Sequence, residues 1–114
     1  LAPLRGKGVL IVGSGAIVHN LRALGPEGSP APDWARAVDD VVVAAIESGD
    51  TAALLKLPET RLGRMAHPTT EHLMPLFVAW GASGGKGRAM HRSFSWGSIS
   101  MTSFAFGEEQ KAAA

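Results

Sequence analysis

Val9-Leu10-Ile11-Val12-Gly13-Ser14-Gly15 is the stretch on which the fold reading turns: an apolar, largely β-branched run that stops at a serine between two glycines. A run of that length bounded by turn residues reads as a buried strand opening into a loop, here the central strand of an α/β sheet. The glycines invite comparison with a dinucleotide-binding loop, but the third glycine of that fingerprint would fall on Val18. The fingerprint therefore fails. Past the loop stands His19, an imidazole placed just beyond a strand, at the end of a sheet where sites collect. Imidazole exchanges a proton readily near neutral pH. On the residues alone, the commoner role for a loop histidine beside Asn20 is a hydrogen-bonded structural one.

Outward from this stretch, residues Gly25 to Pro32 hold three prolines and two glycines and read as a surface loop. A helix comes next, capped by Asp33, with Trp34, Val38, Val41, Val42 and Ala45 at three-to-four spacing until Ser48-Gly49. Asp50 has the character of an N-cap for a shorter helix to about Leu57, after which Pro58 and Gly63 break the pattern. Thr69 or Thr70 is expected to cap a further helix whose stripe, Leu73, Leu76, Phe77 and Trp80, ends at Gly81 and Ser83-Gly84-Gly85. Alternation of Phe94 with Trp96 and of Ile99 with Met101 across Gly97 predicts an antiparallel pair. Residues 1–107 are expected to form one domain, with 108–114 a flexible tail.

The remaining histidines divide by position. His67 and His72 are five apart, about 140° around a helix, so on a helix they would not form the same-face pair of a zincin site. His72 lies one turn before Leu76, on the stripe facing the core, where a buried imidazole needs a partner. A metal ion or a backbone carbonyl would serve equally. Pro75 removes the donor that would meet the Glu71 carbonyl, so the helix start should be bent or held open. Glu71 could be a ligand or base, although an acidic residue in a first helical turn is ordinary dipole chemistry. His91 has no acidic or histidine neighbour nearby and reads as a surface residue or a pocket edge. Ser98, Ser100, Thr102 and Ser103 lack the sharp elbow and general base of a serine hydrolase.

Composition narrows the function classes. At 114 residues, 46% of them hydrophobic and 18% charged, the chain has room for one domain with a small core that a partner would help to cover. A net charge of +1, with scattered basic residues, points away from nucleic acid. With no cysteine, disulfides and thiolate ligands are excluded, so any metal must be held by His, Asp or Glu. The same absence fits a reducing compartment, and a cytoplasmic location is expected. No apolar run approaches the ~18 residues a membrane helix needs, and no secretion signal is evident. The chain starts at Leu1 and has no Met before Met65, so a fragment or a processed chain is expected.

Three motifs occur in a recognisable order: Val9 to Gly15 running into Val18-His19-Asn20-Leu21-Arg22, then His67-Pro68-Thr69-Thr70-Glu71-His72 with Pro75-Leu76, then Gly97-Ser98-Ile99-Ser100-Met101. Together they resemble the class III extradiol ring-cleavage dioxygenases of the 4,5-DOPA dioxygenase type, related to the protocatechuate 4,5-dioxygenase β subunit. The resemblance runs from Leu1 to Gly107 and matches the C-terminal half of such an enzyme. It implies an α/β fold with a central sheet flanked by helices. It also implies a mononuclear site for Fe(II) or Zn(II) that opens a catechol such as DOPA with dioxygen. His19 would then be the catalytic acid–base residue and His72 a metal ligand, in preference to His67, while no substrate-binding residue is assigned. Family members also carry an N-terminal half with further histidine ligands, one in a His-Gly-Ser-Pro-like motif and one after an early strand. Neither motif occurs here, so a second chain or self-association is expected to complete the fold and site. The alternative is a non-catalytic remnant or structural subunit of the same fold.

Overall fold

The structure, a computed structural model, describes residues 1–85 and 87–107. The expected tail over 108–114 lies outside the described residues. Among the described residues, five α-helices precede two small antiparallel sheets: α1 (Ala2–Arg5), α2 (Asp33–Ser48), α3 (Thr51–Lys56), α4 (Arg61–Ala66) and α5 (Met74–Ser83), then β1 (Gly87–His91), β2 (Phe94–Ser95), β3 (Ile99–Ser100) and β4 (Ser103–Phe106). The mixed helix-and-sheet class is the expected one. None of the described helices is long and apolar enough to cross a membrane.

Helix α2 organises the core. Its buried face is Ala35, Val38, Asp39, Val42, Val43, Ala45 and Ile46, the continuous stripe a helical period demands. Val41, expected on that stripe, points outward instead. Asp33 is the first helical residue and not the cap: Pro32 holds the cap position, and Asp33 pairs with Arg36 one turn on. Asp50 does cap α3, its carboxylate accepting from the Ala53 amide at 3.0 Å. Gly63, expected to break helical structure, lies inside α4, where a Cβ would collide with the Leu57 carbonyl. It is a point of close packing.

The strands form two nested pairs. β2 and β3 join through the three-residue loop Trp96-Gly97-Ser98, in which Trp96 and Gly97 both take positive φ (52° and 75°) to reverse the chain. β1 pairs with β4 outside them, with a bulge between Ala89 and His91. The expected central strand, Val9 to Val12, does not form: the segment belongs to no sheet. Leu10 and Val12 are 85% and 77% exposed. The run has strand character but no partner strand among the described residues, and a strand is defined by its partner.

Asp39, which falls outside any pattern of apolar positions, ties helix to sheet. Its buried carboxylate accepts from Arg92 Nε and Nη2 at 3.1 and 2.6 Å, and from the Ser100 and Thr102 hydroxyls at 2.6 Å each. Pairing with Asp39 first, and with Asp40 second, holds the Arg92 guanidinium above its ordinary pKa. The hydroxyl-rich stretch after Gly97 is thus structural. Ser98 likewise donates to the Ala23 carbonyl at 2.9 Å.

Candidate functional site

Three of the four histidines gather where the loop after Val12 meets the connection between α4 and α5. The two segments lie side by side through four hydrogen bonds. The Ala16 amide donates to the His72 carbonyl (2.8 Å) and the His19 amide to the Ala66 carbonyl (2.9 Å). His67 Nε2 meets the Ile17 carbonyl at 2.7 Å, and Asn20 Nδ2 donates to the Met65 carbonyl at 2.7 Å. The glycines of the Gly-Ser-Gly loop permit this approach. A Cβ on Gly15 would run into the His72 carbonyl, and one on Gly13 into the Pro75 carbonyl.

The result is a face-to-face pair. The His19 and His72 rings stack with centroids 3.7 Å apart and planes 26° from parallel. Both side chains are partly exposed, so a solvent-borne group can reach them. His72 also lines a cavity of about 610 Å³, bounded by Val9 to Ile17 on one side and by Thr102 to Phe106 on another. His72 does not stand on α5, contrary to the stripe argument. The helix starts at Met74 with Pro75 in its first turn, and Glu71, His72 and Leu73 form the turn before it. Proline here takes a position whose amide needs no intrahelical partner, and because the Leu76 amide turns to the Leu73 carbonyl (3.1 Å), the His72 carbonyl is left to accept from Ala16.

His67 ends α4 and is buried, 3% exposed. Burial is the leading cause that lowers its pKa, opposed by the bond to Ile17 and reinforced by the nearby His19 and His72. A neutral imidazole carries one N–H, and a carbonyl only accepts, so that proton sits on Nε2. Nδ1 is buried with no hydrogen-bond partner among the described residues. Glu71 is exposed, and its pKa is lowered chiefly by the Thr69 hydroxyl, which donates to it at 2.7 Å. His91 lies apart on β1, exposed and bonded to the Ser93 hydroxyl at 2.6 Å.

Against known families, residues 2–107 match the catalytic LigB subunit of aromatic ring-opening dioxygenase. The chain belongs to that family. It is 37% identical over 110 residues to a 4,5-DOPA dioxygenase extradiol of Beta vulgaris, covering 93% of this chain and 41% of the relative. It is 33% identical over 90 residues to a protein of the same name from Escherichia coli strain K12, covering 75% of this chain and 33% of that one. A crystal structure of an uncharacterized protein from Escherichia coli K12 superposes with a TM-score of 0.80 at 34% identity, over 91% of this chain and 45% of the other. The chain thus spans less than half the length of these relatives. Membership in a dioxygenase family agrees with the resemblance carried by the three motifs.

Proposed function

We propose that this chain is the part of an extradiol ring-cleavage dioxygenase that carries its acid–base histidine, His19, and one of its metal-ligating histidines, His72. The observation that carries the reading is the contact of these two rings at 3.7 Å beside an open cavity. No group of three or more His, Asp or Glu side chains able to hold a metal occurs among the described residues. His72 therefore suits the role of one donor in a set completed from outside this chain, by a second polypeptide or by the remainder of a longer one. Nitrogen and carboxylate donors in such a set suit Fe(II) and also accept Zn(II). When bound, the metal supplies Lewis acidity to the hydroxyls of a catechol such as DOPA, in a reaction that consumes dioxygen. His19 accepts the released proton on an imidazole nitrogen and returns it as the ring opens, a task that needs the imidazole fixed but reachable.

The test uses the protein in which this chain is joined by its complementary half. Formation of the yellow ring-opened product from a catechol is monitored together with metal content. His19→Ala should retain metal and lose about 100-fold or more in turnover. His72→Ala should lose the metal. Retention of stoichiometric metal in His72→Ala would overturn the assignment. A second reading, a non-catalytic remnant of the fold, is favoured by the missing three-residue metal group among the described residues. A completed assembly that binds no metal and leaves catechol intact would establish it.

A further inference from the structure

We infer that His67 is a positioning residue: by donating from Nε2 to the Ile17 carbonyl it fixes the loop that stacks His19 on His72. The inference rests on the roles proposed above for those two rings. The bond to Ile17 (2.7 Å) falls between two main-chain bonds, Ala16 to His72 (2.8 Å) and His19 to Ala66 (2.9 Å). His67 thus supplies the inner side-chain rung of a ladder whose other rungs are two backbone bonds and, at its end, the bond from Asn20 Nδ2 to the Met65 carbonyl. It holds Ile17, which is two residues from His19 and whose own side chain is buried. Without that rung, the segment between Ala16 and His19 keeps, between its two end anchors, only the long bond from the Ser100 amide to the Val18 carbonyl (3.4 Å).

The chemistry of the ring supports a donor role over a packing role. His67 is buried, with Nδ1 bare of any hydrogen-bond partner among the described residues. An apolar side chain would fill the same space without desolvating that lone pair. What it could not supply is an N–H aimed at the Ile17 carbonyl, which would otherwise be left short of a partner. The donor is also locked, because burial keeps the ring neutral and the carbonyl assigns its proton to Nε2.

Two variants separate the roles. Glutamine places an amide N–H near the position of Nε2, whereas leucine fills the volume and donates nothing. In the zinc-loaded or metal-free protein, the His19 ring protons carry an upfield shift from the stacked His72 ring, and this NMR signature reads the pair without recourse to catalysis. The signature should be lost in His67→Leu and kept in His67→Gln. Turnover should change in step, with kcat falling about 10- to 100-fold in His67→Leu while KM and metal content stay near wild type. An unchanged stacking signature in His67→Leu would overturn the inference, whatever the activity. Loss of stacking alongside a wild type that never opens a catechol would sink the dioxygenase reading and leave the positioning role standing. Should His67→Leu fail to fold, nitrogen-15 shifts of wild-type His67 decide: protonated Nε2 with bare Nδ1 is required, and the opposite tautomer refutes the bond to Ile17.

Discussion

Replacing Asp39 with alanine removes the one acceptor shared by three side chains from the sheet region. Its carboxylate takes four hydrogen bonds, two from Arg92 and one each from Ser100 and Thr102. The Arg92 side chain is 45% exposed and keeps Asp40 as a partner, so its share is discounted by solvent to about 1 kcal/mol or less. The Ser100 hydroxyl is buried and that of Thr102 partly so, and each loses a charge-assisted bond of about 1.5–3 kcal/mol. Allowing for relaxation at Thr102, the loss should be about 3–5 kcal/mol, the range typical of breaking a buried pair from one side. Urea unfolding monitored by circular dichroism measures it as a midpoint lowered by roughly 2–3 M for a slope near 1.5 kcal/mol per M. Removing both hydroxyls first, in a Ser100→Ala, Thr102→Ala background, should shrink the Asp39→Ala cost markedly, because the orphaned donors are gone. A cost below about 1 kcal/mol in the otherwise wild-type chain would show that water replaces the carboxylate, and that Asp39 does not tie α2 to the strands.

Two other perturbations test the loop and the histidine cluster. Gly15→Ala drives a Cβ into the His72 carbonyl, and should cost about 1–3 kcal/mol and abolish hydrogen-exchange protection of the Ala16 amide. Gly81→Ala, with nothing near its added methyl on α5, should instead stabilise by about 0.5–1 kcal/mol, and equal effects at both sites would refute the close approach. Stability should also depend on pH through His67, whose folded-state pKa lies below its ordinary 6.5. The unfolded chain takes up that proton more readily, so the contribution is whole above pH 6.5 and is lost as pH falls from there toward the folded value. Thermal unfolding of His67→Gln should lack this component of the acid-side decline, and an unaltered profile would show that His67 is not the group responsible.

Much of the helical framework is legible in the residues because local signals and tertiary burial agree there. The apolar stripe gives α2 its span, and Asp50 caps α3 as its side chain allows. The Gly97 turn between Phe94 and Ile99 is plain as well, since its left-handed backbone is what glycine supplies. The sequence singles out the histidines of the candidate site but not the arrangement the structure gives them. His19 and His72 stand out as isolated imidazoles, but helical spacing wrongly extends α5 back to His72, where Pro75 and the Ala16 bond favour a turn. Asp39 is invisible to periodicity arguments because they weigh apolar residues, although an acid bracketed by Val38 and Val42 on a buried face is itself a signal that distant donors await it. The pairing of β1 with β4 joins residues far apart in sequence across a bulge, and no local pattern specifies such a register.

The unpaired run beside the cavity carries a practical consequence for handling this polypeptide. From Leu10 to Gly15, no main-chain hydrogen bond to another described residue is made, while Leu10 and Val12 project into solvent. Bare amides next to β-branched side chains are a template on which any similar run can zip, a second molecule included. Produced by itself, the polypeptide should therefore cloud and sediment as its concentration rises. A lysine in place of Val12, which breaks the sticky face with a charge, should keep it clear.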